Sequence, residues 1–270
     1  MLLEGFVSQF NIKVAMLRRY TTGSLTAPKA LSTLLGSTFQ PSSGSWDETD
    51  VFNRAPSVIS YNKETDDLVL QENRTWVAGL SDEGGAGSFV AFVMKQLISP
   101  VAAQVDQLVQ FANETVWGNI QHSEGDRIWG VRKSLFYHDP KVITNFTYDS
   151  SINWSDAWDH TEADRVDRAY DYVWASLLYF AIYQASRVQS GLVSEKDALG
   201  YLEKAGETVN FGLGNNTSGD PNTLYSDLGL MGESVWGSLL EQLRLEHLST
   251  LADQLGIDIP YSPNNVGKQG

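Results

Sequence analysis

The chain contains no cysteine. That absence excludes disulfide frameworks, Cys-ligated zinc, iron–sulfur clusters and thiol nucleophiles together. Charge is also scarce, at 19% of 270 residues, and it is lopsided. Nineteen Lys plus Arg face 33 Asp plus Glu, for a formal net charge of −14. A phosphate backbone is gripped by a basic footprint, so no nucleic-acid partner is expected. No apolar run approaches the roughly 18 residues that a membrane-spanning helix needs, so no membrane partner is expected either. A Gly-x-Ser-x-Gly elbow, a His-Glu-x-x-His pair and a dinucleotide fingerprint are all missing. His122, His138 and His160 stand at no metal-ligand spacing from one another. Nothing here implies a cofactor or a metal.

Apolar residues make up 42% of the chain, enough for the core of a single domain over 1–270. Its 8 Trp, 11 Tyr and 11 Phe are a large aromatic complement, and most Trp fall in polar, Gly-bearing surroundings. Asn-x-Ser/Thr sequons occur at Asn73, Asn113, Asn145, Asn153, Asn215 and Asn216. They point to a secreted glycoprotein. Met1 to Tyr20 carries acidic Glu4 and no basic leader, so a secreted chain would be the later part of a longer one. The alternative is a cytoplasmic protein whose sequons carry no meaning.

From Ser88 onward the pattern is helical. Phe89 to Ser99 is apolar and stops at Pro100, which suits the first turn of a second helix running to about Thr115. The two make an αα-hairpin. Asn119 to Asp149 reads as a long irregular stretch. The strongest helix covers about Glu162 to Ser190, with Val166, Tyr170, Val173, Leu177, Ala181 and Val188 on one face. Tyr172, Ser176, Tyr179 and Tyr183 form a second stripe, so this helix is buried nearly all round. Gly191 ends it, and Ser194 to Asp197 opens the next helix with an acidic variant of the capping box. That helix runs to about Phe211, followed by a loop from Gly212. A final helix spans about Gly232 to Leu255, with Trp236, Leu239, Leu240, Leu243, Leu251 and Leu255 on its stripe. Residues 1–80 form a less regular N-terminal segment, with helices around Phe6 to Arg19 and Pro28 to Leu35 and a hairpin built on Asn62-Lys63. All-round buried helices beside amphipathic ones suggest inner and outer rings. The expected class is mainly α, an (α/α) toroid or part of one, with long Trp- and Gly-rich loops.

Acidic loops carry the chemistry. Ser81-Asp82-Glu83-Gly84-Gly85-Ala86-Gly87 precedes the Ser88 helix, and Asp82 and Glu83 are candidates for a catalytic acid or base. The plainer reading is that Asp82 caps that helix. In Asn153-Trp154-Ser155-Asp156-Ala157-Trp158-Asp159-His160, two Trp flank two carboxylates. Sugar rings stack on indoles, and glycosidic cleavage needs one carboxyl as acid and another as nucleophile or base. The plainer reading here is a loop packed on its own Trp, with solvated Asp side chains. Ser45 to Asp50 has similar composition and reads as a solvated face, and Glu233 as an early-turn residue. Arg127, Trp129, Arg132, Tyr137 and the histidines offer a second chemistry. Arg would fork onto an acidic sugar while His122, His138 or Tyr137 moves a proton in β-elimination.

Trp76 to Gly87, Trp117-Gly-Asn-Ile-Gln, Val131-Arg-Lys-Ser-Leu-Phe-Tyr and Arg168-Ala-Tyr-Asp-Tyr-Val-Trp resemble segments of six-hairpin glycosidase-like proteins. The resemblance spans roughly 70–260 and is to the C-terminal portion of large carbohydrate-active proteins of that group. It implies a toroid and a saccharide ligand and delivers no catalytic residues. The expected function is glycoside hydrolysis. Asp156 or Asp159 would pair with Asp82 or Glu83, and Trp76, Trp154, Trp158, His160, Arg127, Trp129 and Tyr137 would contact substrate. A polysaccharide lyase on the same fold and a non-catalytic saccharide-binding module are the alternatives.

Overall fold

The computed structural model describes residues 100–134, 137–144, 146–224 and 232–255, together with 46–47, 57–58, 61–62, 67–68, 71, 90, 92–94, 96, 226 and 230. The described chain is mainly helical. Two short antiparallel pairs precede the helices. β1 (Trp46–Asp47) pairs with β2 (Ser57–Val58), and β3 (Tyr61–Asn62) pairs with β4 (Asp67–Leu68) in the register Tyr61↔Leu68 and Asn62↔Asp67. A hairpin is expected in this region, but the turn expected at Asn62-Lys63 is corrected: Asn62 is a residue of β3 and stands opposite Asp67. The helices expected at Phe6 to Arg19 and Pro28 to Leu35 lie outside the described residues.

Residues 90, 92–94 and 96 are helical, and α1 (Ala102–Gln110) follows Pro100. At this corner the Gln96 carboxamide accepts from the Val101 N–H at 2.9 Å and donates to Gln104 at 3.0 Å. It satisfies one of the donors that a helix start leaves open. α1 passes into a π-helical turn, Phe111–Val116, whose Phe111, Ala112, Thr115 and Val116 are buried. The long stretch that follows is irregular, as its Gly and Pro content predicts.

α2 (His160–Ala163) is a single turn, and α3 (Ala169–Val188) is the central helix. The expected start at Glu162 is therefore corrected to Ala169. Residues 164–168 run outside any helix because their backbone is engaged elsewhere. The Arg165 and Asp167 carbonyls accept from the N–H groups of Lys133 and Leu224. Within α3 the second stripe is completely buried, and each hydroxyl has a partner on another element or turn. Tyr172 donates to the Val166 carbonyl at 2.6 Å, Tyr179 to Gln121 Oε1 at 3.0 Å and Tyr183 to Glu246 at 2.7 Å. Ser176 accepts from the Trp236 indole at 3.0 Å. Buried phenols need such acceptors, since an unpaired one costs about 1–3 kcal/mol.

Gly191 sits at φ +84° just beyond α3, and Ser194 caps α4 (Glu195–Leu213) by accepting from the Asp197 N–H. α4 lies along α3 and buries Tyr201, Leu202, Ala205 and Val209 against it. The final helix is not continuous. α5 (Val235–Leu245) stops, His247 takes a left-handed φ of +61°, and α6 (Ser249–Gln254) resumes. The apolar stripe survives the break: Trp236, Leu239, Leu240, Leu243, Leu251 and Leu255 are all buried. Among the described residues, no helix is long and apolar enough to cross a membrane.

Candidate functional site

Three loops converge where α3 begins and α4 ends. The first closes on itself between residues 122 and 130, through His122 N–H to Gly130 O and Trp129 N–H to His122 O, both 2.9 Å. It then runs beside the second loop, with Lys133 and Ser134 donating to the Arg165 and Ala163 carbonyls and His138 to the Trp158 carbonyl. The third loop joins through Leu224, which donates to the Asp167 carbonyl at 2.8 Å. Gly130 is pressed between Val166 and Phe211, so the first loop reaches both helices.

Ion pairs fix the seam. Asp164 accepts from Arg132 at 2.7 Å and from Arg127 at 2.8 Å, and Arg127 also donates to the Asp164 carbonyl. Lys133 pairs with Glu162 and Asp167, Arg165 with the same two carboxylates, and Arg168 with Asp171 at 3.4 Å. Burial works to raise the Asp164 pKa, but the hydrogen bonds from Arg132 and Arg127 outweigh it and hold the carboxyl below its ordinary range. The Lys133 hydrogen bond, against burial and with help from Arg165, lowers Glu162 as well. His122 stands beside this group. Burial first, then Arg132 and Arg127, pull it down to about 4, so it is neutral at pH 7. Its approach to Asp164 at 3.9 Å is therefore no ion pair at that pH.

The second loop carries an aromatic cluster. His138 stacks on Trp154 with ring centroids 4.8 Å apart and planes within 8°. Tyr148 meets both edge-on, at 4.5 Å and 5.3 Å. The Trp154 indole donates to the Asp149 carbonyl at 2.9 Å. Tyr137 sits edge-on to His160 at 4.9 Å, and Lys133 lies 5.6 Å from the centre of the Trp158 ring. Burial, then Tyr148 and Asp139, raises the Tyr137 phenol above its usual range, so it keeps its proton.

The two carboxylates of this loop differ in their commitments. Asp156 ends a 3-10 turn, Trp154–Asp156, and is exposed, its only described partner being the adjacent Ser155 hydroxyl at 3.3 Å. Asp159 caps α2, accepting from the Glu162 N–H at 2.8 Å. The indoles of Trp154 and Trp158 are half-buried, packed within their own loop but not sealed off. Arg127 joins the ion-pair seam, and His160 is exposed at the start of α2. Asp82, Glu83 and Trp76 lie outside the described residues, as does the placement of their loop relative to Trp154 and Trp158.

Trp129 faces a different neighbourhood. It stacks at a tilt on Trp117, 4.6 Å between centroids, and Lys204 of α4 lies 4.3 Å from the Trp117 ring centre. Lys204 is absent from the sequence-based candidates because it reads as an ordinary polar position of an amphipathic helix. Its aromatic neighbours, Trp117 just after the π-helical turn and Tyr179 of α3, are far from it in the chain. Among the described residues, no group of three His, Asp or Glu side chains is arranged to hold a metal ion.

No curated protein and no solved structure matches the chain. A family model does match, over residues 27–259, and that stretch includes all three converging loops and every helix from α1 to α6. The chain belongs to the family of unknown function DUF5695.

Proposed function

We propose that this protein is a carbohydrate-active enzyme, a glycoside hydrolase acting on a poly- or oligosaccharide. The observation that carries the reading is the Trp154 loop. There a half-buried indole stacked on His138 stands two residues from an exposed carboxylate, Asp156. Indole faces receive the apolar faces of sugar rings, and a carboxylate beside them can act as nucleophile or base. Asp156 suits that role better than Asp159, whose oxygen holds the start of α2. A toroid is the architecture this reading favours. The all-round burial of α3 beside the amphipathic α4 and α5 is what inner and outer helices would require.

The general acid of such an enzyme needs a raised pKa. Asp149, Glu162 and Asp164 all shift the other way, Asp149 through the Ser151 hydroxyl and N–H. In this reading none of those three is the acid, and the role is assigned to Asp82 or Glu83. The capping role of Asp159, which leaves Asp156 as the uncommitted carboxylate beside Trp154, favours a second reading, a saccharide-binding module without turnover. An eliminating enzyme is less well supported, because Arg127 and Arg132 would have to leave Asp164 to grip a substrate carboxylate.

The test is a polysaccharide and oligosaccharide panel followed by reducing-end release and ultraviolet absorbance together. Hydrolysis gives reducing ends without an unsaturated product, and Asp156→Asn and Asp82→Asn abolish it. Ligand binding with no turnover, unchanged in both variants, selects the binding module. Ultraviolet-absorbing product selects the lyase.

A further inference from the structure

The Trp117–Trp129–Lys204 group lies outside the Trp154 loop and is built in a way that packing alone does not require. Trp129 has φ +74°, a left-handed conformation that is a true outlier for a bulky side chain. Such strain persists only where the surroundings over-determine it, and it concentrates at ligand sites. Here the surroundings are a buried polar network. Gln121, fully buried, donates to the Trp129 carbonyl at 2.9 Å and to Thr208 at 2.9 Å, and accepts from Tyr179. The Trp129 N–H is held by the His122 carbonyl. The result is a fixed ring whose partner, Trp117, is half-buried and carries an ammonium over it.

That ammonium is the second unusual element. Lys204 is half-buried, it lies 5.7 Å from the Tyr179 ring as well, and among the described residues no carboxylate comes within 4.0 Å of it. The cations of the ion-paired seam, Arg127, Arg132, Lys133, Arg165 and Arg168, each have a carboxylate partner. A desolvated cation facing π-clouds but no anion gains most from an anion brought by a ligand. Burial lowers the Lys204 pKa only to about 8, so at pH 7 the group is mostly charged and ready to receive one.

We propose that Trp117, Trp129 and Lys204 form a subsite for a sugar ring that bears a carboxylate, a uronate residue of the saccharide. The Trp129 indole takes the apolar face of the pyranose, Trp117 holds the ammonium beside it, and the ammonium takes the carboxylate. This rests on the saccharide reading above and adds the substrate class. It requires no movement of Arg127 or Arg132 from Asp164. The acidity of the whole chain is no obstacle, because among the described residues no carboxylate lies within 4.0 Å of Lys204 to neutralise it locally.

Calorimetric titration with tetragalacturonate, with cellotetraose as the neutral control, tests it on the full chain. Wild-type protein binds the uronate more tightly than the neutral sugar. Lys204→Gln lowers uronate affinity about ten- to a hundredfold, the worth of one charge-assisted hydrogen bond, and leaves cellotetraose binding unchanged. Trp129→Asn removes the ring but suits the left-handed backbone, since Asn tolerates that region better than Trp. It is therefore expected to keep or raise the melting temperature while losing uronate binding, a combination that a purely structural tryptophan would not give. Equal uronate binding by wild type and Lys204→Gln overturns the proposal. Binding or cleavage of the neutral sugar with none of the uronate overturns the subsite and leaves the saccharide reading standing. Failure of both sugars in wild type, with no other panel member bound, removes both.

Discussion

Gly200, Gly206 and Gly212 share one helix, α4, but face three different surroundings, so an alanine at each separates helix propensity from packing. A Cβ on Gly200 meets nothing within 4 Å. Gly200→Ala should therefore show only the propensity gain, about 0.5–1 kcal/mol of added stability. A Cβ on Gly206 comes 2.7 Å from Leu251 Cδ2 and 3.2 Å from Leu243 Cδ1. The two methyl ends can turn aside in part, but Leu251 Cγ also lies 3.1 Å from the Cβ, so overpacking offsets the propensity gain and the net change stays within about 1 kcal/mol. Gly212 is the severe case. Its Cβ would lie 2.8 Å and 2.9 Å from the Cγ and Cδ1 of Tyr172. That ring cannot swing away: it stacks on Phe211, its hydroxyl donates to Val166 O, and it accepts from Val131 N–H. Overpacking costs about 1–3 kcal/mol, and disturbing the phenol adds a hydrogen-bond loss of about 0.5–1.5 kcal/mol. After the propensity gain, Gly212→Ala should be destabilised by roughly 1–3 kcal/mol, a fall of several degrees in melting temperature. Urea unfolding followed by circular dichroism gives the order directly, provided the m-values agree. If Gly212→Ala proves as stable as Gly200→Ala, the close approach of α4 to Tyr172 is wrong, and with it the anchoring of the first loop at that end of the helices.

The remaining expectations concern the loops. His122 binds its proton at about 4 in the folded chain against 6.5 when unfolded. Between those values the unfolded chain takes up a proton that the folded one refuses. The resulting stability is complete above pH 6.5 and is lost as pH falls toward 4. Denaturation midpoints across that window should show this slope in wild type and lack it in His122→Gln. The depressed carboxyls Asp164 and Glu162 act at lower pH. Asp159→Ala should cost about 0.5–2 kcal/mol through the lost cap on α2, while Asp156→Asn leaves the melting temperature unchanged.

Much of the fold was legible because the relevant signals are local. Pro100 marks a corner, Gly191 a left-handed stop and Ser194 a cap, each with the chemistry its residue type implies. The burial of α3 on all sides followed from two apolar stripes on one helix. What the sequence hid was where helices yield to tertiary contacts. Val166 continues the α3 stripe, yet the segment before Ala169 is drawn out of helix by its pairing with Lys133 and Leu224. The break after Leu245 escaped for a different reason. Its left-handed residue is His247 rather than Gly, and Leu251 and Leu255 return to the core as though the helix had continued.

The site divides along the same line. Trp154, Trp158, Asp156 and Asp159 stand within one short loop, so their composition alone drew attention to it. The separation of Asp156 from Asp159 needed the backbone, because capping depends on the Glu162 N–H pointing at one carboxylate and not the other. The ion pairs join residues far apart in the chain, Arg127 and Arg132 to Asp164, and no spacing rule connects them. Yet the pairing explains an oddity of composition. An acidic chain with only 19 basic side chains gathers Arg127, Arg132, Lys133, Arg165 and Arg168 into two loops, and there each meets a carboxylate. These cations hold the loops to each other and to the start of α3, so their charge is neutralised where they stand. Lys204 arrives from α4 instead, against the rings of Trp117 and Tyr179 and with no carboxylate within 4.0 Å among the described residues, so its charge is free for something outside the chain to meet.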